Sequence, residues 1–259
     1  MKDINTFLLE LEKTLIIDPS KKERIDSSIV SLQSKIWGFF QDRLHKIAVF
    51  GSYDRETTVP GDDEMDVDIL IVFKQKDFQP QAYLNQLKNF AEENYPRSEV
   101  YPDHPTIAIE MNHITFELVP AHHISGSTFK IPAPRTKELK WISSTPEEFK
   151  KRVTLKDNGN KGFIIPLIKI LKYWNVLNGK LFVPYELEKY IISRDYTGNL
   201  FRDYYFAACT NLSLIATTLD QKKVVQELRE KNRRLRAMEQ IKVFDYIEQE
   251  FQSFLPFPK

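Results

Sequence analysis

The sequence predicts an α+β protein: a lobe built on a mixed β-sheet, then a helical C-terminal lobe. Three observations predict it. Short β-favouring runs separated by turn residues fill residues 46–119; beyond Trp141 the apolar positions fall almost entirely at helical spacing; and lone acids interrupt two otherwise apolar strand runs. A chain of 259 residues, 42% of them hydrophobic, suffices for one substantial core or two modest lobes.

Taken in order, Ile4, Phe7, Leu8 and Leu11 predict a helix over residues 4–15. Ile25, Ile29, Leu32, Ile36, Phe39 and Phe40 predict a second over 24–41, with Asp18, Pro19 and Ser20 as the break and helix start. Strands are expected at 47–50, 67–73, 100–101, 107–110 and 114–119, with a helix over 80–95. Residues 120–134 hold three prolines, the pair His122 and His123, and Gly126, which reads as an irregular crossover out of the sheet. The domain boundary is therefore drawn between residues 1–135, a palm with bracing N-terminal helices, and 136–259, a helical lobe. Helices are expected there over 146–155, 164–177, 185–194, 201–219 and 221–254.

No apolar run reaches membrane-spanning length, and the N-terminus alternates charge with apolar groups at helical spacing, unlike a signal peptide. The expected location is the cytoplasm, with no membrane partner. Lys and Arg number 37 against 36 Asp and Glu, which excludes the global positive field of a non-specific nucleic-acid binder. The basic stretch 222–236 carries Val224, Val225, Leu228 and Leu235 as an apolar stripe and reads as a solvated helix face, a phosphate or RNA contact being the alternative. Cys209 lies in an apolar segment and is expected to be a buried structural thiol. His104, His113, His122 and His123 have no accompanying cysteine and no helical ligand spacing, so surface histidines are expected rather than a zinc site.

The chemistry concentrates in KIAVFGSYDRETTVPGDDEMDVDILIVF, residues 46–73. Side chains alternate across a strand, so Asp66 and Asp68 project from one face while Val67 and Ile69 point to the other. Carboxylates held that close repel unless a cation lies between them, and hard oxygen ligands select Mg²⁺ or Mn²⁺. In the later strand run HITFELV, Glu117 points away from Phe116 and Leu118 and supplies the third acid of a two-ion site. Gly51 lets backbone approach a phosphate closely and Ser52 adds a hydroxyl, so the amides of the following turn would hold a triphosphate. One ion would lower the pKa of the attacking hydroxyl and the other would clamp the triphosphate. The acidic turn at Gly61, Asp62, Asp63 and Glu64 reads as solvated, outside the ligand set.

Gly51, Ser52, Asp66, Asp68 and Glu117 together resemble the pattern of the DNA polymerase β-like nucleotidyltransferase superfamily. Within it the chain looks most like the bacterial cyclic oligonucleotide synthases of anti-phage (CBASS) systems, the cGAS/DncV-like nucleotidyltransferases of SMODS type. FELVPA, WISSTP, IPLIKILKYWN and PYELEKYI support that resemblance over roughly residues 40–195. It implies a triphosphate-touching lysine at Lys172 or Lys169 and a base-stacking aromatic at Tyr185. Two departures stand out. The usual third aspartate is Glu117, and the serine that often precedes the stacking aromatic is Pro184, which offers neither a hydroxyl nor an amide.

The expectation is thus an enzyme that makes a cyclic di- or trinucleotide from NTPs with two Mg²⁺ (or Mn²⁺) ions and release of pyrophosphate, with any regulatory protein partner unknown. Template-independent RNA tailing of the CCA or poly(A) type, gripping its acceptor through residues 222–236, is the second reading. A non-catalytic nucleotide-binding regulator is the third.

Overall fold

In the computed structural model the structure describes residues 3–59, 66–76, 78–103, 105–112, 114–133 and 139–258. Gly61, Asp62, Asp63, Glu64, His104 and His113 lie outside the described residues. The chain groups into two compact units. One comprises the described residues of 17–58 and 64–151; the other comprises those of 1–16, 59–63 and 152–259.

The first unit is built on a sheet of β1 (Leu44–Phe50), β2 (Asp66–Phe73), β3 (Glu99–Asp103), β4 (Thr106–Met111), β5 (Ile114–Ser125), β6 (Thr128–Pro132) and β7 (Trp141–Ser144). Its order is β1-β2-β5-β4-β3, with β6 added to β5 and β7 to β6. β2 and β5 run parallel and the other pairs antiparallel. A parallel neighbour needs a crossover, which runs through α4 (Pro80–Asn94).

α2 (Pro19–Phe40) starts where Asp18 accepts from the amides of Ser20 and Lys21, satisfying helix-end donors that would otherwise be orphaned. Its buried Ile25, Ile29, Leu32, Ile36 and Phe40 join Tyr83, Leu84, Leu87, Phe90 and Ala91 of α4 over one sheet face. That face presents Val67, Ile69, Ile71 and Phe73 of β2 and Phe116 and Leu118 of β5. The opposite face carries a smaller cluster of Leu70, Val72, Val119, Ala121 and Phe129.

The second unit is helical: α1 (Ile4–Thr14), the end of α5 (Pro146–Asn158), α6 (Ile164–Leu177), α7 (Pro184–Ser193), α8 (Phe201–Asn211), α9 (Leu219–Gln240) and α10 (Phe244–Gln252). Asp157 accepts from the amides of Ile164 and Ile165 and so caps α6, whose length is buried nearly all round. α1 is held by Phe7 stacked on Phe251 at 4.2 Å and by Asn5 accepting from the Arg202 amide at 3.1 Å. Among the described residues no helix is long and apolar enough to cross a membrane.

Several expectations are corrected. Residues 120–133 are no irregular crossover: β5 continues through Pro120 to Ser125 and turns at Gly126, φ +54, into β6. Proline fits because β4 pairs with β5 only as far as Leu118 and β6 only from His122, so Pro120 sits where that edge needs no N–H donor. His122 is 3% exposed rather than on the surface, its ring 4.7 Å from Tyr83 and 4.4 Å from Trp141. It shares the core-facing side of β5 with Phe116 and Leu118. Trp141 opens a strand, not the helical region. The helix expected over 201–219 stops at Asn211, and the one over 221–254 breaks between α9 and α10, where Lys242 takes φ +58. By contacts, residues 139–151 group with the sheet, and α1 with the C-terminal helices.

Candidate active site

The strand alternation puts three acids on one face of the sheet. In β2, Asp66 and Asp68 are half-buried between fully buried Val67 and Ile69. The parallel register pairs Asp68 with Glu117 and Asp66 with Thr115. Residues paired across a ladder point the same way, so Glu117 shares the face of Asp66 and Asp68, which continues into the small cluster around Leu70 and Val119. Across the sheet the row reads Phe50, Asp68, Glu117, Ala108.

The Gly-Ser turn abuts this row. β1 ends at Phe50, the register partner of Asp68, and the short α3 (Gly51–Asp54) begins at once. Gly51 has φ +77, and a Cβ there would overlap Oδ2 of Asp68, so the position requires glycine twice over. The Ser52 hydroxyl lies 3.2 Å from that of Thr58, and the Ser52 carbonyl accepts from the Thr57 amide at 2.9 Å. Sequence reasoning missed two supports of this turn. The Tyr53 hydroxyl donates to Asp26 of α2 at 2.7 Å, and Lys150 of α5 donates to Asp54 at 2.6 Å. The Tyr53 bond holds the Asp26 carboxyl below its usual range, while burial, then that same bond, pushes the phenol well up. Their partners lie far away in sequence, so no local spacing announces them.

The residues suggested by resemblance belong to the helical unit. Lys172 is 4% exposed and faces Glu188, 1% exposed, at 3.4 Å, a buried ion pair between α6 and α7. Lys169 lies 3.4 Å from Glu12 of α1. Tyr185, 45% exposed on the first turn of α7, does not pack into the core, and Lys189 sits 5.4 Å over its ring. Among the described residues no three His, Cys, Asp or Glu side chains form a ready-made ion site as they stand.

A mixed sheet that sets a Gly-Ser turn against strand-borne carboxylates, with a helical C-terminal region, is the polymerase β-like nucleotidyltransferase fold. Solved structures share it. CdnG, a CD-NTase of Bradyrhizobium diazoefficiens in complex with GTP, superposes with a TM-score of 0.76 at 12% identity over 96% of this chain and 94% of that one. CdnC of E. coli with ATP gives 0.77 at 11% over 98% and 99%, and has also been solved as a CdnC:HORMA-deltaN complex. The DncV cyclic AMP-GMP synthase of Vibrio cholerae gives 0.66 at 10% over 83% and 70%. No match was found among curated protein sequences. The model of the Second Messenger Oligonucleotide or Dinucleotide Synthetase domain matches residues 1–157, and the chain belongs to that family. It is a nucleotidyltransferase.

Proposed function

We propose that this protein joins NTPs into a cyclic di- or trinucleotide with release of pyrophosphate, as the signal-producing enzyme of an anti-phage system, and that Asp66, Asp68 and Glu117 are its catalytic acids. The observation that carries this reading is the register pair Asp68 and Glu117 beside Gly51. Three hard oxygen donors on one sheet face suit Mg²⁺ or Mn²⁺. The backbone register puts them on that face, and they are the residues that would hold the ions. When bound, the ions supply activation of the attacking hydroxyl and neutralisation of the triphosphate charge.

The chain's own contribution is positioning. Gly51 and Ser52 open the backbone for close phosphate approach, and the ties from Tyr53 to Asp26 and from Lys150 to Asp54 hold that turn in place before substrate arrives. Tyr185, exposed, stacks on a nucleobase, an interaction that accepts any base. Lys169 and Lys172 remain the lysines proposed for the triphosphate. For Lys172 that role requires it to leave Glu188. The nucleotides held by CdnG and CdnC support NTP substrates, and the CdnC:HORMA-deltaN complex supports a protein partner.

The deciding experiment incubates purified protein with all four NTPs and Mg²⁺ or Mn²⁺, without RNA, then applies phosphatase and identifies the surviving products by mass spectrometry. A phosphatase-resistant cyclic product is expected. Extension of added RNA with no cyclic product would replace this reading with the RNA-tailing one.

A further inference from the structure

α9 carries a stripe of positive charge that no acid among the described residues partners. Arg229, Arg233 and Arg236 recur four and three residues apart and so rise from one side of the helix. Elsewhere α9 is tied down: Arg234 pairs with Glu250 at 2.8 Å, and Glu239 pairs with Arg202. The three unpaired arginines, with Phe206, Cys209 and Asn232, line a cavity of about 230 Å³ between α8 and α9. One wall is formed by the Arg236 guanidinium lying 4.2 Å over the Phe206 ring.

The floor is polar and unsatisfied. Asn232 is 6% exposed, and its amide faces the Tyr205 hydroxyl and the Cys209 thiol without a hydrogen bond of good geometry to any described residue. The fully buried Tyr205 hydroxyl beside it has the Asn232 amide and the Cys209 thiol as its polar neighbours and likewise makes no well-formed bond to them. A buried amide left unsatisfied costs about 1–3 kcal/mol, so a fold retains one where something else completes it. Water would complete the amide but would leave three like charges facing a shared hollow. An anion does both: guanidinium forks match phosphate oxygens bidentately, and the amide presents an acceptor beside a donor, the pair that reads the N6/N7 edge of adenine. The volume lies below the ~300–1,000 Å³ of drug-sized sites, so the cavity can enclose only part of a mononucleotide, the remainder lying in solvent, and nothing larger.

We propose that this cavity is a second, non-catalytic ligand site for a small nucleoside phosphate, with Arg229, Arg233 and Arg236 holding the phosphate and Asn232 receiving the base edge. It uses residues of the helical unit alone and goes beyond the catalytic reading, whose outcome does not bear on it.

The test is hydrogen–deuterium exchange of the full chain in EDTA with AMP as probe, so that no metal–triphosphate complex can occupy the carboxylate site. AMP is expected to slow exchange saturably in peptides covering residues 205–210 and 229–236, with an affinity that falls as salt rises. Arg233→Ala is expected to weaken binding about tenfold, since a charged hydrogen bond is involved, and the triple alanine variant at 229, 233 and 236 to abolish it. Arg229 and Arg233 are solvent-exposed, so melting temperature should hold in the Arg229→Ala/Arg233→Ala pair, which keeps the Arg236 contact with Phe206 and is likewise expected to lose AMP binding. Asn232→Leu is expected to bind inorganic phosphate as before and to lose the preference for AMP over it. Unchanged exchange at both peptides, protection that persists in the triple variant, or protection by single-stranded RNA and not by AMP would each overturn the proposal.

Discussion

Asp68 and Glu117 are direct partners in the parallel ladder between β2 and β5, with the carboxyl of Asp68 lying where Gly51 would carry a Cβ. This links three sequence features through one backbone register, and it makes them separately testable.

Asp68→Asn and Glu117→Gln keep size while removing the charge and exchanging one acceptor oxygen for an NH₂ donor. Each is expected to lower turnover by at least about a hundredfold, on the scale of losing one electrostatic group at a reacting centre, with little change in melting temperature. Mass spectrometry of products beside a thermal melt checks both. Near-normal product from either variant would remove that acid from the site.

Gly51→Ala should behave differently. The added Cβ displaces the Asp68 carboxyl and forces a β-carbon residue to φ +77, so stability falls by about 1–3 kcal/mol together with activity. Denaturant midpoints separate this outcome from the charge variants. Full stability in Gly51→Ala would mean that the turn relaxes freely.

Lys172 and Glu188 form a buried pair, and removing one partner of such a pair strands a charge. Lys172→Met is expected to cost about 3–5 kcal/mol, and adding Glu188→Leu to restore most of that. Activity decides the rest: a refolded but inactive double variant assigns Lys172 to the triphosphate, whereas an active one makes it structural.

Tyr185→Ala is expected to raise KM for NTPs about tenfold, in keeping with loss of about 1–3 kcal/mol of stacking, while Tyr185→Phe stays near wild type. Initial rates against nucleotide concentration measure it. Equal KM in the alanine variant would leave the exposed ring without a substrate role.

Burial pushes the Cys209 thiol up to about 12 from an ordinary value of 9.0. The folded state favours the protonated form, so this contribution to stability is fully present below about pH 9 and is lost as pH rises toward 12. The difference in unfolding free energy between wild type and Cys209→Ala should shrink across that window, and iodoacetamide at pH 8 should label the thiol only in denaturant. Rapid labelling of the native protein would contradict the burial.

Much of this architecture is written locally. Alternation in DVDILIVF fixes which side Asp66 and Asp68 take, and the bounds of α6, Ile164–Leu177, coincide with its apolar run. The unreadable parts depend on distant partners. Nothing near Lys172 signals that Glu188 will bury with it, and nothing in α1 signals that Asn5 will meet Arg202. Pro120 misled because proline argues against a strand until the gap between the pairings of β4 and β6 is known. His122 looked like a polar residue in a loop for the same reason.

The ladder between β2 and β5 also fixes when the site can exist during biosynthesis. β1 with β2, and β3 with β4 and β5, pair with strands adjacent in sequence, so each half of the palm can zip up soon after it leaves the ribosome. The β2–β5 seam can form only once β5 has emerged behind α4, β3 and β4, and that seam sets Asp68 beside Glu117. A nascent or truncated chain therefore carries isolated acids on unjoined sheet edges.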